Sequence, residues 1–337
     1  MARSGRWCIV VAQLVAAAGC GQQSPEDPAE AAYAAFRDAY LDAGSRAEQV
    51  ALVESFVTEH AGHRSAAYYA TDVIAYYAGD LGQPARAYDV VAPMLSRMTD
   101  PGPRLYLAAE LAPVAAALGQ PLDLGPFIAA VEVKGPLSLD DRESVMSAAC
   151  EVGDWPLAAG HAEAVLARST PEAWRADHPD SDLDDDEVAK LAQRWRATAL
   201  PYLGWALYNK GRTEEALAMF EQADAERVND YVGVSQQPLD RFWASALLRE
   251  GDAAAALDRI SREAVFGDRD QALPVFRQAW ATVSGSEDGL DEQLWQARER
   301  LARPIDDFTL PDYSGRQRSL AELRRGKVLL LAFWFPT

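Results

Sequence analysis

From Ala29 onward apolar residues return every third or fourth position, as in Ala32, Phe36 and Tyr40 and again in Val50, Val53 and Val57. That period follows the α-helical turn, so the pattern predicts a series of amphipathic helices. One punctuation mark recurs between them: a glycine, four further residues, then an alanine. It stands at Gly82 with Ala87, Gly153 with Ala158, Gly211 with Ala216 and Gly251 with Ala256, and a weaker turn sits at Gly119. Glycine accepts the left-handed backbone that ends a helix, and alanine lets the next helix approach closely. Successive glycines lie 37, 34, 58 and 40 residues apart. This is the spacing of a helical-hairpin repeat with one insertion. One hairpin cannot bury its own apolar face, so neighbours are expected to stack into a solenoid over residues 29–300.

The pattern changes at Pro304. Phe308 to Leu310 predicts a short strand, Pro311 to Gly315 a turn, Arg316 to Leu320 a second strand, and Leu320 to Leu323 one helical turn. After Arg325 and Gly326, the run Lys327-Val-Leu-Leu-Leu-Ala-Phe-Trp-Phe335 shows no polar alternation. Such a strand must be covered on both faces, as in a parallel sheet flanked by helices. The expected fold class is mainly α, a hairpin solenoid followed by an incomplete α/β segment over residues 304–337.

Particular residues sharpen both halves. Tyr202-Leu-Gly-Trp-Ala-Leu-Tyr-Asn-Lys-Gly211-Arg-Thr-Glu-Glu-Ala216-Leu-Ala-Met-Phe220-Glu-Gln-Ala223 resembles a tetratricopeptide repeat. Leu203, Gly204, Gly211, Ala216, Phe220 and Ala223 stand where that family places its small and large residues. The unit from Trp243 to Ile260 keeps Ala246, Gly251 and Ala256 without the full pattern. Plain stacked helices without repeat ancestry are the alternative reading.

At the other end, Asp307-Phe-Thr-Leu-Pro-Asp-Tyr-Ser-Gly315, Ser319-Leu320, Gly326-Lys327-Val328 and Phe333-Trp334 are similar, in order and spacing, to thioredoxin-like proteins of the redoxin and TlpA-like type. The similarity covers the N-terminal third of that domain. It implies that Phe333, Trp334, Phe335, Pro336 and Thr337 form the strand end and the approach to the active site, shaping it without doing chemistry. In the family the first cysteine of Cys-x-x-Cys follows three residues after the Phe-Trp pair, so the sequence as given stops one residue before the nucleophile. Three explanations stand: a UGA codon that encodes selenocysteine, a frameshift or nonsense lesion, or a relic segment docked on the helical body. The first would place a selenolate where the chemistry wants a low-pKa nucleophile at a helix N-terminus. The resemblance implies thiol-disulfide oxidoreductase or antioxidant activity for an intact product, the chain as given being catalytically silent. The competing expectation is a non-enzymatic scaffold that holds an extended peptide on the concave face of its helices.

The first residues point to export. Arg3 and Arg6 precede an apolar stretch from Trp7 to Val15, and Ala16, Ala17, Ala18 and Gly19 lead to Cys20. Residues 1–19 have the layout of a signal peptide and are too short for a membrane span of about 20 apolar residues. The small residues before Cys20 resemble the lipobox of bacterial lipoproteins, although Ala17 stands where that family usually has Leu. The resemblance implies acylation of Cys20, a tether over residues 20–28, and a lipid-anchored location in a bacterial cell envelope, facing the periplasm. Ordinary signal cleavage and a buried leader helix are the alternatives.

With 51 Asp and Glu against 32 Lys and Arg, the net charge is −19. Such a surface repels phosphate backbones, so no nucleic-acid partner is expected. The expected partners are protein or peptide clients, a redox partner, and the membrane at Cys20. The acidic stretch near residues 177–187 invites a calcium reading, but taking Asp180, Asp182 and Asp184 as first ligands puts Asp185 where a Gly is needed and Leu191 where a Glu is needed. It is expected to be a solvated loop before a helix from Val188 to Leu200. His60 and His63 lack a third ligand nearby, His161 sits on an Ala-rich helix, and Cys150 beside Ala148 and Ala149 reads as a buried hydrophobe. Tyr68, Tyr69, Tyr76 and Tyr77 are expected in the core, the lining of a concave groove for a peptide being the alternative. No metal and no cofactor are expected.

Overall fold

The computed structural model describes residues 28–179, 181–227, 238–267, 269–302, 306–311 and 314–323. Among them helices predominate, with one two-stranded antiparallel sheet. The chain divides into two compact units between Pro136 and Leu137.

In the N-terminal unit the helices are α1 (Pro28–Asp42), α2 (Arg46–Glu59), α3 (Ala66–Ile74), α4 (Pro84–Arg97), α5 (Pro101–Ala117) and α6 (Gly125–Glu132). The predicted stripe Val50, Val53 and Val57 is almost fully buried, as is Phe36 of α1. Phe36 stacks on Phe56 with ring centroids 4.3 Å apart, and Tyr69 of α3 meets Phe36 edge-on at 4.7 Å. This aromatic cluster fastens α1 to α2 and α3, since each such pair contributes about 1 kcal/mol beyond the area it buries. Between α3 and α4 the chain widens into a π-helical turn over Ala75–Asp80, in which the Leu81 N–H donates to the Tyr76 carbonyl at 2.9 Å.

The C-terminal unit contains α7 (Leu139–Val152), α8 (Trp155–Arg168), α9 (Pro171–Asp177), α10 (Asp185–Asn209), α11 (Thr213–Ala225), α12 (Leu239–Arg249), α13 (Ala253–Phe266), α14 (Arg269–Ser284) and α15 (Leu290–Leu301). The glycine–alanine punctuation is one structural device used three times. Gly153, Gly211 and Gly251 have φ of 79°, 77° and 86°. The N–H after each reaches back to close the helix: Asp154 to the Ala149 carbonyl at 2.8 Å, Arg212 to Leu207 at 3.0 Å and Asp252 to Leu247 at 2.9 Å. These are Schellman caps, which satisfy carbonyls that a helix end leaves orphaned. The paired alanines Ala158, Ala216 and Ala256 have no exposed surface. The three hairpins α7–α8, α10–α11 and α12–α13 follow in sequence, with α10 packed on α8 and α12 packed on α10 and α11.

Helix α10 does not end at Leu200, as the spacing predicts, but runs through Pro201 to Asn209. Every residue from Ala197 to Leu207 is buried, and burial on several sides outweighs the helix-breaking tendency of a single proline. Gly204 explains how α10 and α11 come so close. A Cβ built there would lie 2.7 Å from Phe220 Cε1 and 3.3 Å from the Ala216 carbonyl oxygen, so only glycine fits.

After α15 come β1 (Thr309–Pro311), β2 (Gln317–Ser319) and the single turn α16 (Leu320–Leu323). Thr309 lies opposite Ser319 and Pro311 opposite Gln317. Both strands fall within a residue of the positions that the pattern predicts.

Candidate functional site

Two places bring together the residues on which a function can be argued. The first is the C-terminal hairpin. Asp307 Oδ1 accepts the Ala321 N–H at 2.8 Å, Ser319 Oγ accepts the Glu322 N–H at 3.1 Å, and the Leu320 N–H donates to the Phe308 carbonyl at 2.9 Å. Short polar side chains at a helix start satisfy amides that have no partner within the helix. Gly315 turns the chain between the strands with φ of 78°. Thus Asp307, Gly315, Ser319 and Leu320 tie β1, β2 and α16 into one piece. Phe333, Trp334, Phe335, Pro336 and Thr337, together with the lipidation candidate Cys20, lie outside the described residues.

The second place is an aromatic platform where α8, α10 and α12 meet. Trp205, Tyr208 and Asn209 lie three and four residues apart on α10 and so share one face. The Trp205 ring is nearly parallel to Phe242 of α12 at 5.1 Å and to Tyr208 at 5.7 Å, and Trp155 of α8 meets it edge-on at 6.5 Å. The Arg249 guanidinium lies 4.8 Å from the Trp205 ring centre and 5.8 Å from that of Tyr208. It donates to Asn209 Oδ1 at 2.9 Å, while the Tyr208 hydroxyl donates to Glu250 Oε1 at 2.8 Å. Burial and then the Glu250 hydrogen bond raise the Tyr208 pKa above its usual value, keeping the phenol protonated as a donor. Arg249 is exposed. A guanidinium has five N–H donors and Asn209 takes one, so this exposed cation over two aromatic rings keeps further donors for a ligand.

The remaining sequence candidates have structural roles. Cys150 is buried, and desolvation, reinforced by Glu151 and opposed by Arg241, pushes its thiol up to about 12. Such a thiol carries negligible thiolate at neutral pH. The acidic stretch is spent on capping: Asp184 Oδ1 accepts the Glu187 N–H at 2.8 Å, Glu187 returns the bond to the Asp184 N–H at 3.0 Å, and Asp185 pairs with Arg175 at 3.1 Å. Asp180 lies outside the described residues. Among the described residues no cluster of His, Cys, Asp and Glu can hold a metal ion, and no helix is long and apolar enough to cross a membrane. Of the four tyrosines, Tyr69 sits in the aromatic cluster of the N-terminal unit. Tyr68 is 63% exposed beside Tyr106, and Tyr77 lies in the π-helical turn under Arg86.

One further cluster was not foreseen. Arg227 donates to both Asp224 and Asp240, Arg259 donates to Asp224 at 2.9 Å, and the Arg259 guanidinium rests 3.9 Å above the Trp243 ring. It joins the end of α11 to α12 and α13 and is structural in its connections. Its partners lie 13 and 35 residues apart, beyond any local pattern. The platform residues Trp205 and Tyr208 show in the sequence as aromatics at helical spacing, but Arg249 stands 40 positions from Asn209.

No protein-family model matches the chain, and no curated protein matches it.

Proposed function

We propose that this protein is an exported, lipid-anchored chain in which tetratricopeptide-like hairpins stack as a solenoid and carry the first part of a thioredoxin-like domain. Thiol-disulfide exchange is the activity of the intact product. The observation that carries the reading is the hairpin of residues 306–323, in which Asp307 and Ser319 cap α16 and so give the redoxin-like residues a common structural purpose. The three repeated Schellman caps and the glycine-dependent approach of Gly204 to Phe220 support the repeat half of the proposal. Cys150 is not the nucleophile, because its burial suppresses the thiolate.

The nucleotides beyond codon 337 test this. An in-frame continuation into a cysteine or selenocysteine motif and further thioredoxin-like sequence, with reduction of insulin disulfides by that product, supports the proposal. Unrelated sequence after an ordinary stop, or a continuous product without turnover, overturns it. Anchoring has a separate test: Cys20→Ala should release the protein from membranes, and unchanged membrane association would refute lipidation.

A second reading, a scaffold lipoprotein that grips peptides without catalysis, is favoured by the platform of Trp205, Tyr208, Asn209 and Arg249. An aromatic-backed guanidinium suits a peptide carboxylate or carbonyl. Immobilised peptides probed with the purified chain and with Arg249→Glu decide it: binding that the variant loses supports the scaffold, and equal binding by both removes it.

A further inference from the structure

The turn between α2 and α3 buries a histidine in a cage built by three helices. The His63 side chain is 4% exposed. Tyr33 of α1 stacks on the imidazole at 4.7 Å, and Phe56 of α2 meets it edge-on at 5.6 Å. At the start of α3 the Ser65 backbone N–H donates to Nδ1 at 3.2 Å. That bond assigns the neutral tautomer, because Nδ1 has to be the bare nitrogen and Nε2 the one bearing hydrogen. Nε2 lies 3.7 Å from Glu30 Oε1, beyond hydrogen-bond reach, and is buried with no partner. A second proton must therefore go onto Nδ1, where it collides with the Ser65 N–H. Charging the ring costs the backbone hydrogen bond of the turn and leaves a cation against Tyr33 and Phe56.

The groups facing the ring set the balance. From α1 come Glu30 and Tyr33, and from the turn after α2 come His60 and Arg64; Tyr69 of α3 touches Tyr33. Glu30 favours the cation, but its side chain is 51% exposed and is shared with Arg64, whose guanidinium lies 3.5 Å away. Burial is the largest influence, and Arg64 and His60 add to it, so His63 titrates below its ordinary value.

We propose that His63 is an acid-sensitive latch, holding α1 against α2 and α3 while its ring is neutral and letting α1 go when the ring is protonated. A histidine whose folded form resists protonation contributes stability that is complete above its unfolded pKa of about 6.5 and is lost as the pH falls below that value. An envelope protein meets such pH changes directly, so the device would free the first helix after the tether in acid.

Hydrogen–deuterium exchange of the full chain at pH 7.5 and pH 5.0, corrected for the intrinsic exchange rate, tests this. The protection of α1 amides should fall at pH 5.0, by at most about thirtyfold for an unfolded pKa of about 6.5, and in His63→Gln it should be the same at both pH values. Equal α1 protection in the native chain at both pH values overturns the latch, as does an acid loss in His63→Gln equal to the native one. If His63→Gln is already loose at pH 7.5, Glu30→Gln decides. Removing the carboxylate that favours the cation widens the gap between the folded and unfolded pKa, so the acid loss of α1 protection should deepen, and an unchanged or smaller loss overturns the proposal.

Discussion

Gly204→Ala adds one methyl group at the tightest contact between α10 and α11. Two effects oppose each other. In a helix interior the change from glycine to alanine favours folding by about 1 kcal/mol. The new Cβ, however, would stand 2.7 Å and 2.9 Å from two Phe220 ring carbons and 3.3 Å from the Ala216 carbonyl oxygen. Phe220 is fully buried, so its ring has no open space to retreat into, and one element of the clash is backbone. Overpacking of this kind costs about 1–3 kcal/mol. The clash therefore wins, for a net loss of about 1 kcal/mol, or a fall of about 2–4 °C in Tm for a unit of this size. Gly160→Ala in α8 is the internal control, since a Cβ there meets nothing within 4 Å and the same propensity gain of about 1 kcal/mol goes unopposed. Urea denaturation followed by circular dichroism should separate the two variants by about 2 kcal/mol, with opposite signs. Gly204→Ala combined with Phe220→Leu should recover part of the clash, because the shorter side chain vacates the ring positions. If Gly204→Ala and Gly160→Ala stabilise equally, the close approach of α10 and α11 is wrong.

Cys150 should resist iodoacetamide at pH 8 in the folded chain and react fully in denaturant, since burial pushes its thiol up to about 12; mass spectrometry of the tryptic peptide reads this, and fast native labelling would refute the burial. Arg227→Met should destabilise the C-terminal unit by about 3 kcal/mol, because it strands the buried Asp240 carboxylate, and a loss below 1 kcal/mol would show that Arg259 alone is a sufficient partner. Asp224 is pushed up by its partial burial but pulled further down by the hydrogen bonds and charges of Arg259 and Arg227. Its stabilisation is complete above about pH 4 and drains away in more acid solution, so Arg259→Met should flatten the stability profile there, and an unchanged acid limb would exclude the pair.

The helix ends were legible because their cause is local. A glycine that must take positive φ and an alanine that must vanish into a contact are each dictated by backbone sterics within a few residues, and Gly153, Gly211 and Gly251 obey that rule identically. The strands of the C-terminal hairpin were legible for the same reason, being set by a turn around Gly315. At Gly82 the rule changes form: the preceding turn is π-helical, so the Gln83 N–H reaches back to the Tyr77 carbonyl, one residue further than in the other caps. The continuation of α10 through Pro201 was hidden because proline's local cost is visible in sequence, whereas the burial that outweighs it comes from α8 and α11.

The same division separates the two readings of function. Ser319 lies within a turn of the amide it caps, whereas Asp307 reaches the Ala321 N–H from 14 positions away across the hairpin, so only part of this segment is set by consecutive residues. The platform is assembled across hairpins: Arg249 reaches Asn209 from 40 positions away, and Trp155 approaches Trp205 from a third helix. Its cost falls on packing that is already in place, because Phe242 and Trp205 are core residues before they are a surface. Aromatic rings that stabilise the hairpin stack thus hold an exposed cation in a fixed orientation without further ordering of the platform. A peptide binding there would meet a pre-ordered guanidinium, so the loss expected for Arg249→Glu should exceed that for an exposed arginine without an aromatic support, such as Arg64→Glu. Equal losses from the two variants would mean that net charge alone attracts the peptide and that the platform has no special part in it.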